Sequence, residues 1–244
     1  LCKGDELTLS ADYGDATAID WEFSNDGKIY ESFANDLVGT KTTKPGSSAH
    51  YRLKSAGNGV CPAVYSKPVS VMVEEPVRIT LPEDTLICPN TSAAIHATIE
   101  GSPSKIVWES KTEGSDYSAI PHYGETVNVI PTATTYYRLT AVAEVCENAS
   151  DEMVVSVDEV PAMDLSISAN GICKGDEVIL TSNFKFGSNL KWWAKTANSN
   201  FTLLQEGGTE FSDTPEEPTT YKATASSEAG CKADELTESV NVFE

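Results

Sequence analysis

Six cysteines are the residues of this 244-residue chain whose type and spacing point most plainly to chemistry. Cys2, Cys88 and Cys173 recur at an almost constant step, and Cys61, Cys146 and Cys231 recur at the same one. Oxidative pairing within each copy fits this register, because the two members of a copy are almost equally far apart in all three. Closing a loop of roughly 60 residues removes unfolded-chain entropy worth roughly 4 kcal/mol on the chain-entropy view. Zinc binding would need clustered ligands, and there is no Cys-x-x-Cys and no histidine beside any cysteine. Disulfide chemistry in turn implies an oxidising compartment.

Other chemistries find less support. A hydrolytic triad needs a histidine beside a nucleophile, and His50, His96 and His122 fall at non-equivalent positions of the copies. No Gly-x-Ser-x-Gly, His-Glu-x-x-His or Gly-rich phosphate loop occurs. Paired carboxylates are plentiful, but a glycosidase pair needs a cleft that small sandwiches seldom supply. The reading is therefore of a protein that is not an enzyme and uses no cofactor. Calcium is the strongest metal candidate, at the acidic pairs Glu74-Glu75 and Asp158-Glu159, where each copy runs into the next. Two carboxylates ahead of a proline are also ordinary linker residues, so the expectation is no bound metal.

Seventeen basic and 37 acidic residues give a net charge of −20, divided as −4, −9 and −7 over the three copies. A surface of that sign repels nucleic-acid phosphates and anionic lipid heads, which excludes nucleic acid and direct membrane insertion as expected partners. No apolar run is long enough to span a bilayer. Acylation of Cys2 would break the cysteine register.

The elements that must position these residues keep the same period. A tryptophan follows each first cysteine at almost the same interval (Trp21, Trp108, Trp192), and a proline precedes a tyrosine by six (Pro45/Tyr51, Pro131/Tyr137, Pro215/Tyr221). Each copy closes on a valine run. Helical periodicity is nearly absent, whereas alternating runs rich in Val, Ile, Thr and Tyr recur between turn residues. In the third copy strands are expected near 165–168, 177–181, 190–195, 201–204, 210–213, 220–225 and 236–243. Asn25-Asp26-Gly27 predicts a tight hairpin turn in the first copy. The implied organisation is all-β, with three Greek-key sandwiches at 1–75, 76–160 and 161–244 and the tryptophans facing inward. The first copy lacks an apolar run ahead of Cys2, which predicts a missing first strand and a chain that is part of a longer one.

The order Cys-x-Gly-Asp, strand, Trp, Pro-x5-Tyr, strand, Cys, Val-x-Val resembles the tandem immunoglobulin-like or PKD-like modules of Bacteroidetes cell-surface proteins, adhesin-like and gliding-associated ones among them. The resemblance implies one disulfide per sandwich, lying near its end because the second cysteine sits ten residues beyond the corner tyrosine, not two. It implies a non-catalytic, extracellular array, at the cell surface or secreted, acting in adhesion, display or spacing, with a protein or glycan as partner. The alternatives are a glycan-binding module attached to a polysaccharide-processing enzyme, or a structural part of a surface filament or secretion apparatus.

The copies differ most at Trp193. Strand alternation points it away from Trp192, where the other copies place Glu22 and Glu109. With Phe184, Phe186, Phe201 and Phe211 it gives the third copy an aromatic surplus, and Trp193 is the candidate ligand contact.

Overall fold

The computed structural model describes residues 1–14, 16, 18–34, 39–56 and 61–244. Strands account for nearly all of the regular structure. The residues that alternate in the sequence gather into three separate apolar cores. The first is built on Leu9, Ile19, Trp21, Tyr51 and Leu53. The second surrounds Trp108 with Ile95, Val127, Tyr137, Leu139 and Val155, and the third surrounds Trp192 with Val178, Leu180, Leu190, Tyr221 and Val240. Trp21, Trp108 and Trp192 are 4%, 0% and 1% exposed, so the alternation places all three indoles inside, as expected.

In each unit a tryptophan strand (Ile19–Ser24, Lys105–Thr112, Ser188–Thr196) pairs antiparallel with a later tyrosine strand (Ala49–Ser55, Thr135–Val142, Thr219–Ser226). The tyrosine strand pairs in turn with a closing strand, Val69–Val71, Ala149–Val157 or Leu236–Phe243. The segment between tryptophan and tyrosine strands crosses to the facing layer, where Thr40–Thr43, Thr126–Val129 and Glu210–Asp213 pair with Leu7–Ser10, Ala93–His96 and Val178–Thr181. That crossing makes the Greek key. The seven strands expected in the third unit are all present to within two or three residues, and Ala162–Met163, Gly171–Cys173 and Phe184–Lys185 are short additions.

The added strand Gly171–Cys173 corrects the cysteine pairing. Gly171–Cys173 runs parallel to the end of its closing strand, with Cys173 opposite Phe243. Thr85–Ile87 does the same beside Val155–Val157, and Cys2 bridges Glu74. The first cysteine of a unit therefore sits where its closing strand ends. The second cysteine lies in the hairpin before that strand begins. Eight residue steps from Ala149 to Val157 span roughly 27 Å, far beyond the ~7 Å that a disulfide tolerates between Cα atoms. Cysteines of one copy thus occupy opposite ends of the sandwich and cannot meet.

They meet their neighbours instead. Cys2 is bonded to Cys146 and Cys88 to Cys231, with Cα separations of 4.8 and 5.4 Å. Each bridge joins the first cysteine of one unit to the second cysteine of the next. Cys173 is an exposed thiol, and Cys61 lies outside both bridges, next to residues that are not described. The Asn25-Asp26-Gly27 turn is also longer than predicted. Asp26 accepts the N–H groups of Lys28 and Ile29 and organises a six-residue loop between strands ending at Ser24 and starting at Glu31.

Candidate functional site

The two junctions are built alike. In the first, the Glu74 carboxylate reaches out of the linker and accepts the backbone N–H groups of Glu144, Val145 and Cys146 at 3.1, 2.7 and 2.8 Å. These hydrogen bonds, Cys146's first, hold its pKa below the ordinary value. Glu74 is itself fixed by Glu74 N–H to Leu1 and Lys3 N–H to Glu74, both at 2.9 Å, and Lys3 pairs with Glu75 at 2.7 Å. In the second junction the Asp158 carboxylate accepts the Ala229 N–H at 2.8 Å and the Ser227 hydroxyl, and the hydroxyl is the larger cause of its lowered pKa. In both places a carboxylate grips the hairpin whose cysteine is bonded beside it.

Glu74, considered above for calcium, therefore spends its oxygens on backbone N–H groups of the next unit, and Asp158 spends its own on the Ala229 N–H and Ser227 hydroxyl of the next unit and on the Glu159 N–H of its own linker. Among the described residues no group of three or more His, Cys, Asp or Glu side chains is gathered to hold a metal. Reading Glu74-Glu75 as a linker pair caught its position but missed its role, because the groups that complete it belong to a hairpin of the next unit, far along the chain.

The outer face of the tryptophan strand carries a second recurring feature. Glu22 stands directly opposite Arg52, accepts its Nη2 at 2.6 Å, and is only 6% exposed. The Arg52 guanidinium lies over the rings of Tyr30 and Tyr65 at 3.7 and 4.2 Å. The second unit repeats this arrangement with Glu109, Arg138 at 2.8 Å and the Tyr117 ring at 3.9 Å. In the third unit Trp193 occupies the carboxylate's place, opposite Lys222. Lys222 lies 5.5 Å from the Trp193 ring and 4.5 Å from that of Phe201, and the Trp193 indole N–H donates to Thr224 Oγ1 at 3.0 Å. Trp193 does face away from the core, as alternation required, but is half-buried in this cluster. The glutamates at its position are covered ion-pair partners, which a strand pattern read alone does not disclose.

The other aromatic residues of the third unit divide. Phe211 stacks on Trp192 at 6.0 Å and Phe184 packs against the core, whereas Phe186 is exposed. The Tyr221 hydroxyl donates to the Asp213 carboxylate at 2.7 Å. Burial, and then Asp213, raise its pKa strongly. The histidines lie apart from these features: His50 bonds Ser70 and His96 bonds Thr126 within their sheets, and His122 lies in a loop.

Beside Trp193 the surface is hollowed. A groove of about 390 Å³ is lined by Trp193, Lys191, Lys222, Lys232, Asn189 and Ser226 among others.

No family model and no curated protein matches the chain. Among solved structures, an E-to-A variant of titin domains I67–I69 superposes with a TM-score of 0.53 at 13% identity, covering 99% of this chain and 93% of that one. The fold is a tandem of immunoglobulin-like domains. Sidekick-1 immunoglobulin domains 1–4 (TM-score 0.39, 12% identity, 100% of this chain and 73% of that) are also similar. So are the fibronectin(III)-like modules of Clostridium thermocellum CbhA (TM-score 0.37, 10% identity, 67% and 93%).

Proposed function

We propose that the chain is a non-catalytic segment of an extracellular array, in which immunoglobulin-like units are bonded end to end into a stiff strut that spaces or displays binding elements at a cell surface. The observation that carries this reading is that both disulfides join neighbouring units. A short linker alone leaves hinge freedom; a bond and a gripped hairpin beside it restrain that freedom. The disulfides also indicate an oxidising, extracytoplasmic setting.

The bonds redirect tension. A pull between Leu1 and Glu244 passes from Cys2 into Cys146, back along the chain to Cys88, across to Cys231 and out along the final strand. The first unit and most of the third lie off this path. At about 3.5 Å per residue, the oxidised chain should extend to roughly 260 Å and the reduced chain to roughly 850 Å.

Single-molecule stretching with end handles tests this directly. The oxidised protein should stop near the shorter contour length, and reductant should release the longer one. Equal extension with and without reductant would overturn the strut reading.

A further inference from the structure

The groove beside Trp193 has features that its sister units lack. In the second unit the tryptophan and tyrosine strands pair without interruption from Lys105 to Thr112. In the third, the register shifts between Ser188 and Lys191, where two residues stand against Ala225 alone. This bulge puts Asn189 into the left-handed region at φ 57° while Leu190 stays in the core. A second shift, between Trp192 and Trp193, lies on the other side of the strand and has a counterpart between Trp21 and Glu22 of the first unit. The bulge at Asn189, which neither sister unit has between these two strands, is the one that re-aims a side chain beside the hollow.

The lining is cationic in a chain that is otherwise strongly acidic. Lys191 is held by Glu206 at 2.6 Å and Lys222 by Glu235 at 3.3 Å. Lys232, exposed at the rim, has no ion pair among the described residues. Three ammonium groups thus face two carboxylates, leaving one positive charge for a ligand. Asn189, Ser226 and Thr224 add amide and hydroxyl groups around the indole. A second depression of about 380 Å³, sharing Asn189, Lys191 and Ser226, continues the groove past Lys191.

We propose that this groove binds an acidic saccharide, a uronic-acid-containing glycan chain, with a sugar ring against Trp193, its carboxylate at Lys232, and its hydroxyls on Asn189 and Ser226. The inference is independent of the strut reading. A half-buried indole with small hydrogen-bonding groups along the same groove suits a ring that is apolar on its faces and hydroxylated at its rim. A peptide strand would instead need an unpaired sheet edge. Here both strands that floor the groove are paired on each side.

The test is titration of the whole oxidised chain with trigalacturonate, neutral galactotriose and hexaglutamate, followed by calorimetry and by the indole N–H resonances. Trigalacturonate should bind and shift the Trp193 indole signal, weakening about tenfold in Trp193→Ala and severalfold in Lys232→Glu. The Lys232→Glu change lies on the exposed rim and leaves the core untouched, and the amide spectrum reports folding of both variants. Binding that survives both substitutions, hexaglutamate binding as tightly as the saccharide, or no trigalacturonate binding at ~10 mM would each overturn the proposal.

Discussion

The Glu74 carboxylate accepts the backbone N–H of Cys146 at 2.8 Å, although 72 residues separate the two. It holds the hairpin of the second unit against the end of the first, beside the bond between Cys146 and Cys2.

This grip is predicted to fail in acid. A carboxylate whose pKa is lowered on folding stabilises the arrangement above its unfolded value, and that stability is lost as pH falls through the folded one. In a Cys2→Ser variant, where the carboxylate holds the junction without the bond, spin-label distances between the first two units should broaden below the ordinary carboxylate range. Glu74→Gln should be broad already at neutral pH and show no such acid step.

Peptide mapping of the unreduced protein should recover Cys2 linked to Cys146 and Cys88 linked to Cys231, and no peptide linking two cysteines of one copy. Cys173 should alkylate in the native protein. A Cys88–Cys146 peptide would contradict the arrangement of the strand ends.

Glu22→Ala should be costly for an outer-face position. It strips a largely buried carboxylate from Arg52 and Lys54, at about 3 kcal/mol. The double replacement Glu22→Trp with Arg52→Lys installs the third unit's pair and should recover part of that loss. Urea unfolding followed at the first unit measures both.

Alkali should unfold the units through their buried tyrosines. Burial raises the pKa of Tyr51, Tyr137 and Tyr221 in the folded state, so stability is complete below the unfolded value of about 10 and is lost as pH rises past it. Absorbance at ~295 nm should show these three ionising only with unfolding, and Tyr221→Phe should cost about 2 kcal/mol through the lost bond to Asp213.

The strands were largely legible because alternation and turn residues act within a few residues of one another. Val178–Thr181 and Leu236–Phe243 read directly from their patterns, and the three buried indoles follow from the same logic. The short Gly171–Cys173 strand was not legible, since so brief a segment carries no usable period and its partner is the far end of the strand that closes the unit. Trp193 stood out as a departure between copies, but its Lys222 contact and the bulge at Asn189 depend on cross-strand register.

The sequence by itself determined that there are three copies of one β-sandwich, with tryptophan and tyrosine inside and two cysteines in each. Those properties rest on local period and on repetition. Which cysteine bonds which was decided by tertiary structure alone. A closing strand separates the two cysteines of a unit by its full length, and end-to-end stacking brings the end of one unit against the hairpin of the next. A disulfide forms where Cα atoms come within a few ångströms, and equal spacing along a chain says nothing about that distance.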